Sequence, residues 1–271
     1  MTLSGPDPEW TALEAGLKPA VRIAVRPADA HRLAAGLRAR GAAVVLSQSR
    51  IRLGRREPET ILYVARSDAS AEHIRDVENA TLPSADAGSG TRSDAHRELG
   101  LLLGYPRCCV DAFLTTTAVF DDPEGARQAI IEDVLHARAA SAATRTHPRA
   151  RVNALLIGSR VRLVTFYPCS YDCGAALTYA DALHAALARK DAVAAEALDR
   201  ALACTIALGP DGARALLIAG DDGRQHAETP PRPSGMRDER GDARFATMLN
   251  HALTGGTIPD AVLVIAFSHA G

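Results

Sequence analysis

Lysine is almost missing from this chain of 271 residues: of its 31 basic residues, only Lys18 and Lys190 are lysines. The rest are arginine, a bias of the kind a GC-rich bacterial genome produces, and no function is read into it. Charge of either sign is not in excess, because the formal net charge is −1. A phosphate backbone or an anionic membrane therefore finds no electrostatic footprint here, and nucleic acid is excluded as the expected partner. Aromatic residues make up only 4% of the chain, with a single tryptophan. Alanine dominates the apolar set, so the expected core is one of small side chains and closely packed helices. Long hydrophobic runs are also lacking. The longest, such as Ala261 to Phe267, are far too short to span a bilayer. Met1 to Pro8 has neither the basic start nor the apolar segment of a secretory leader. The expected compartment is the cytoplasm, where structural disulfides are rare and clustered thiols bind metal or do redox chemistry.

Several catalytic signatures are absent as well. There is no glycine-rich dinucleotide fingerprint, no phosphate-binding loop and no nucleophile elbow. What the sequence does contain is five cysteines, four of them in two stretches built alike. The first is Gly104-Tyr105-Pro106-Arg107-Cys108-Cys109 and the second is Phe166-Tyr167-Pro168-Cys169-Ser170-Tyr171-Asp172-Cys173. Each has a Tyr-Pro step, then thiols, then an apolar run with helical character. Proline is favoured at the first position of a helix. Both thiol sets are thus expected in the first turn or two of a helix, where unpaired N–H groups and the helix dipole stabilise a thiolate.

Cys169 and Cys173, read as i,i+4 on that helix, share one face. Cys108 and Cys109 are neighbours, and neighbours on a regular helix diverge by about 100°. A cubane iron–sulfur cluster tolerates that spread better than one zinc ion, and a vicinal pair is a poor zinc knuckle. All four cysteines are therefore read as ligands of a 4Fe–4S cluster. Three rival readings stand beside it: a structural zinc site, a metal-free thiol–disulfide oxidoreductase, and buried packing residues. Cys204, far along the chain in an apolar setting, is read as core. Tyr105, Tyr167 and His147 are the candidates for catalytic or tuning roles beside the thiols, with Asn153 held alongside His147 for proton transfer or ligation. His184 lies about 16 Å of helical rise beyond Cys173, too far to share an ion.

The flanking segments alternate like strands or repeat like helices. Val21–Arg26, Ala43–Leu46, Ser49–Leu53 and Thr60–Ala65 read as strands. Ala28–Arg40, stopped by Gly41, and Ser70–Asn79 read as helices. A Pro-, Ser- and Gly-rich stretch near residues 82–93 reads as a linker. Beyond it come a helix from Ser93 or Asp94 to Leu103, a long helix from Glu124 to about Arg145, a strand or hairpin over Arg151–Thr165 turning at Gly158-Ser159, and one long helix from Tyr171 to Ala203. The last third reads as strands at Cys204–Leu208, Ala213–Ala219 and Pro259–Phe267, with a polar loop over residues 222–240 and a helix over Arg244–Leu253. The expected class is α+β: a helical cysteine-bearing centre between an N-terminal βαββα unit and a C-terminal β segment, the two β parts joining in one sheet. The expected domains are residues 1–82 and 93–271.

Leu103-Gly104-Tyr105-Pro106-x-Cys108-Cys109 with the later Pro168-Cys169-Ser170-x-x-Cys173 resembles a family of uncharacterised prokaryotic proteins carrying those two motifs. The likeness covers roughly residues 95–185 and implies that the four cysteines act as one site. The resulting expectation is a cytoplasmic iron–sulfur enzyme that performs redox chemistry, or Lewis-acid or sulfur-transfer chemistry at an open iron. Its substrate would be a small molecule, with an electron-donor protein as partner.

Overall fold

Alternation along the first strands divides their side chains between two faces. Val21, Val44, Leu62 and Val64 point one way, with Ile23, Val25 and Leu46, while Ala20, Ala43, Val45, Ile61, Tyr63 and Ala65 point the other. In the computed structural model both faces are covered. The structure describes residues 7–48, 50–51, 58–82, 89–117, 146–147, 149–154, 161–209, 213–219, 224–229, 239–254 and 263–267. It divides into two compact units, Glu9–Gly125 and Ala126–Gly271, the latter also taking Met1–Pro8. The class is α+β, as the sequence pattern implies.

The first unit runs α1 (Pro8–Glu14), β1 (Ala20–Val25), α2 (Pro27–Ala39), β2 (Ala43–Leu46), β3 (Arg50–Ile51), β4 (Pro58–Ala65), α3 (Asp68–Ala80), α4 (Ser89–Leu102) and α5 (Arg107–Thr117). Strand β4 is central, with β1 on one side and β2 and β3 on the other, all antiparallel to it. β1 and β2 are thus parallel to each other, joined by α2, with β4 inserted between them. One face carries Trp10 and Leu13 of α1 with Ala34 of α2. The opposite face carries Ala71 and Ile74 of α3, and Leu99, Leu102 and Leu103 at the end of α4. The expected βαββα order is present, and α2 stops at Gly41 as its sequence indicates. Residues 83–88 of the expected linker lie outside the described residues; α4 and α5 fall in the same unit as the N-terminal sheet.

The second unit contains β5 (Thr146–His147), a 3₁₀ turn at Ala150–Val152, α6 (Gly174–Lys190), α7 (Ala192–Leu202), β6 (Thr205–Leu208), β7 (Arg214–Ala219), β8 (Gln225–Glu228), α8 (Glu239–Thr254) and β9 (Leu263–Phe267). Its sheet has the order β5-β9-β6-β7-β8, antiparallel except where β5 meets β9. Phe245, Ala246 and Leu249 of α8 pack on one face, against Ala207, Ala215, Leu217 and Ala227.

Four expectations need correction. The two β segments form separate sheets rather than one. The helix expected from Tyr171 to Ala203 is two helices: Asp191, extended at φ −157°, breaks it and caps α7 by accepting a hydrogen bond from the Ala194 N–H at 2.9 Å. The stretch 222–240 is not all loop, because it contains β8. That strand buries only Ala227, whose N–H and C=O are both bonded to the Asn250 side chain at 2.7 and 2.9 Å. One buried residue in four leaves no alternation to read. The described parts of 151–165 are a 3₁₀ turn and irregular chain, not a hairpin. The Gly158-Ser159 turn and the helix expected at 124–145 lie outside the described residues.

Candidate metal centre

The first cysteine pair owes its placement to a helix–helix corner that the Leu-Gly-Tyr-Pro sequence encodes. α4 ends in a paired cap. The Gly104 N–H bonds the Leu101 carbonyl at 2.9 Å and the Tyr105 N–H bonds the Gly100 carbonyl at 3.0 Å. This double closure needs a left-handed residue at its turning point, and Gly104 has φ +74°. Pro106 then stands just ahead of α5, and its carbonyl accepts the N–H groups of Cys109 and Val110 at 2.9 and 3.0 Å. Arg107, Cys108 and Cys109 form the first turn of α5, so both thiols emerge at the positive end of its helix dipole. α5 lies close along α4. A Cβ on Gly100 would come within 2.8 Å of Val110 Cγ2, so glycine there lets the helices approach. Cys108 is exposed and Cys109 buried, yet their sulfurs are only 4.0 Å apart. The divergence expected of neighbours on a helix does not separate them.

The second pair is built differently from the sequence expectation. Cys169 and Cys173 do not ride one helix face. Cys169 lies in a turn, and Cys173 is the cap residue of α6, with extended backbone and its carbonyl bonded to the Leu177 N–H at 2.9 Å. The turn closes through the Cys173 N–H to the Ser170 carbonyl at 3.0 Å and the Asp172 N–H to Ser170 Oγ at 3.1 Å. Tyr171 anchors it: the side chain is fully buried, packed edge-on against Phe267 of β9 with ring centroids 4.9 Å apart. Burial pushes the Tyr171 phenol far above its ordinary range, only partly countered by the charge of Arg214. Phe166, just before the Tyr-Pro step, packs edge-on against Tyr179 of α6.

The sulfurs of Cys108, Cys109, Cys169 and Cys173 all lie within 4.8 Å of one another. Four thiols at that spacing are compatible with a metal site. Among the described residues no histidine, aspartate or glutamate joins the group.

The other candidate residues have other surroundings. Tyr105 and Tyr167 flank the thiols in sequence and are both half-buried. His147 lies in β5, paired in register with Phe267. Asn153 is buried and donates to the Leu202 carbonyl at 3.0 Å and to Cys204 Sγ at 3.6 Å, a structural tie between the 3₁₀ turn and the end of α7. Cys204 lies outside the thiol cluster and is half-buried. Burial raises its thiol to about 11, with the Asn153 hydrogen bond pulling the other way. His184 Nε2 lies 2.8 Å from Asp199, which is also held by Arg151. Asp111 pairs with Arg97. Sequence reasoning missed Lys18, which the structure buries beside Tyr105; the one available signal was its being one of only two lysines in the chain.

Residues 73–202 match the model of a family described as "Protein of unknown function (DUF483)". All four clustered cysteines fall inside that stretch. No curated protein and no solved structure matches the chain. Among the described residues no helix is long and apolar enough to cross a membrane.

Proposed function

We propose that Cys108, Cys109, Cys169 and Cys173 hold one tetrahedrally coordinated metal ion, Zn²⁺ in the first instance, and that its role is to fix the two helix starts. The observation that carries this reading is the sulfur spacing of at most 4.8 Å. Zinc–thiolate bonds of about 2.3 Å at tetrahedral angles put sulfurs about 3.8 Å apart, so one ion needs a contraction of about 1 Å at most. In a cubane each protein sulfur sits on a different iron. Four ligands then surround an eight-atom core, and their spacing rises to about 6 Å. The vicinal pair, which favoured a cluster on sequence grounds, has sulfurs 4.0 Å apart and suits one ion. Four thiolates and one dication carry a net charge of −2, and the N-terminal turn of α5 and the start of α6 offset part of it. With every position taken by sulfur, the ion has no open site for water, which is the pattern of a structural centre.

An iron–sulfur enzyme is the second reading. Its support is the exposure of Cys108, the ligand best placed to exchange for substrate. A cluster there would supply redox or Lewis-acid chemistry, with Tyr105, Tyr167 and His147 as the residues to test for proton transfer.

Metal analysis of protein purified without oxygen or chelators separates the two. The expected result is colourless protein with about one zinc per chain, lost when the four cysteines are replaced by serine. Brown protein with about four irons per chain gives the second reading instead. Metal-free protein whose thiol count changes with reductant overturns both.

A further inference from the structure

Lys18 is fully buried. Its ammonium meets both carboxylate oxygens of Glu9, at 2.7 and 2.8 Å, and lies 4.8 Å from the centroid of the Tyr105 ring. The same lysine abuts the corner from the other side: a Cβ on Gly104 would sit 3.3 Å from Lys18 Cα and 3.1 Å from Pro19 Cδ. Glu9, Lys18, Gly104 and Tyr105 therefore form one cluster, immediately ahead of Pro106 and the first cysteine pair.

A buried ion pair is weak as a stability device, because the cost of desolvating two charges offsets most of their attraction. Apolar residues of similar size commonly serve as well or better. Its presence calls for a role that an apolar pair does not supply. A cation held over a ring face gives direction, since the attraction depends on the cation lying above the ring. The residue type points the same way. In a chain with only two lysines among 31 basic residues, this position holds the compact ammonium rather than the broad guanidinium fork.

We propose that the Lys18–Glu9 pair is a positioning element for the metal centre: it seats the Tyr105 ring and thereby fixes the corner from which Cys108 and Cys109 project. Glu9 holds the ammonium, the ammonium holds the ring, and the ring holds the chain at the C-terminal side of Gly104. The proposal rests on the metal reading given above. It also extends the functional unit to residues 9 and 18, well outside the stretch 73–202 that matches the family.

The test uses the full chain and Co²⁺ as the probe, followed through the visible bands of tetrahedral thiolate coordination, together with amide hydrogen exchange at Cys109 and Val110. The variant is the double substitution Glu9→Gln, Lys18→Met, which removes both charges and leaves neither partner buried alone. The expected result is Co²⁺ affinity about 10-fold weaker or more, the range seen when outer-shell supports of metal ligands are removed. Faster exchange at Cys109 and Val110 accompanies it, with far-ultraviolet circular dichroism unchanged. Wild-type affinity and unchanged exchange overturn the proposal. A second pair of variants decides it if the double variant does not fold. Tyr105→Phe keeps the ring face and should bind Co²⁺ as the wild type does, whereas Tyr105→Leu should show the weakening; equal affinities overturn the positioning role. If the wild type takes up no Co²⁺ at all, the metal reading falls, and exchange at Cys109 and Val110 still decides whether the ion pair holds the corner.

Discussion

The two cysteine-bearing helix starts share a Tyr-Pro step but reach their geometry by different means. At the first, the helix begins at once: both thiols lie in the opening turn of α5, and the corner before them is closed by backbone hydrogen bonds around Gly104. At the second, the helix is delayed. The thiols sit in a turn and at a cap, and the brace is a side chain, Tyr171, sunk into the sheet of its own unit. A short motif thus specifies that the chain turns and that a helix follows. How many residues pass before the first helical bond depends on what the turn is anchored to.

That contrast predicts unequal sensitivity. Tyr171→Ala removes a fully buried ring that packs on Phe267. Large-to-small replacements of buried aromatics cost about 3–5 kcal/mol, so the second unit should lose that much. Hydrogen exchange of the β6 and β9 amides in the full chain measures it. A loss below about 1 kcal/mol would mean that the second turn is held by its hydrogen bonds and not by its anchor.

The next largest effect tests the thiols. Cys109 is buried and Cys108 exposed. Cys109→Ser should cost about 100-fold or more in Co²⁺ affinity, because a buried hydroxyl is a poor thiolate substitute and water cannot reach in to replace it. Cys108→Ser should cost about 10-fold, since solvent can complete the shell at an exposed position. Equal losses would indicate that exposure in the free protein does not survive metal binding.

Much of this was legible from residue order. Alternation in β1, β2 and β4 and the Gly41 stop identify the N-terminal unit, because one pleated face and one helical stripe must each be apolar. The four cysteines were legible because a Tyr-Pro step precedes each pair. The helix break at Asp191 was not, because the Ala-rich sequence on both sides is equally helical and a single capping side chain decides it. The convergence of Cys169 and Cys173 was misread for a related reason. Spacing of four suggests a shared helix face, and a turn closed by Ser170 brings them together without one. The Lys18–Glu9 pair was invisible because it links a seven-residue helix to the lead of a strand, and no periodicity joins positions nine apart.

The smallest predicted effects are the sharpest form of the comparison, because they ask one substitution to act with opposite signs at the two starts. Gly104 has φ +74°, a conformation that costs an L-residue about 1–2 kcal/mol. A Cβ there also meets Lys18 Cα at 3.3 Å and Pro19 Cδ at 3.1 Å, one a backbone atom and the other part of a rigid ring, so neither can swing away. Against this stands a gain of about 0.4–1 kcal/mol from restricting the unfolded chain. Gly104→Ala should therefore destabilise by about 1–2 kcal/mol. Gly174, the first residue of α6, has ordinary backbone and nothing within 4 Å of a would-be Cβ. There the unfolded-chain term and helix propensity act unopposed, and Gly174→Ala should stabilise by about 0.5–1 kcal/mol. Denaturant midpoints of the two variants, measured side by side on the metal-free chain, read the difference. If both substitutions shift the midpoint in the same direction, the first start is not held by a left-handed turn, and the contrast between the two starts disappears.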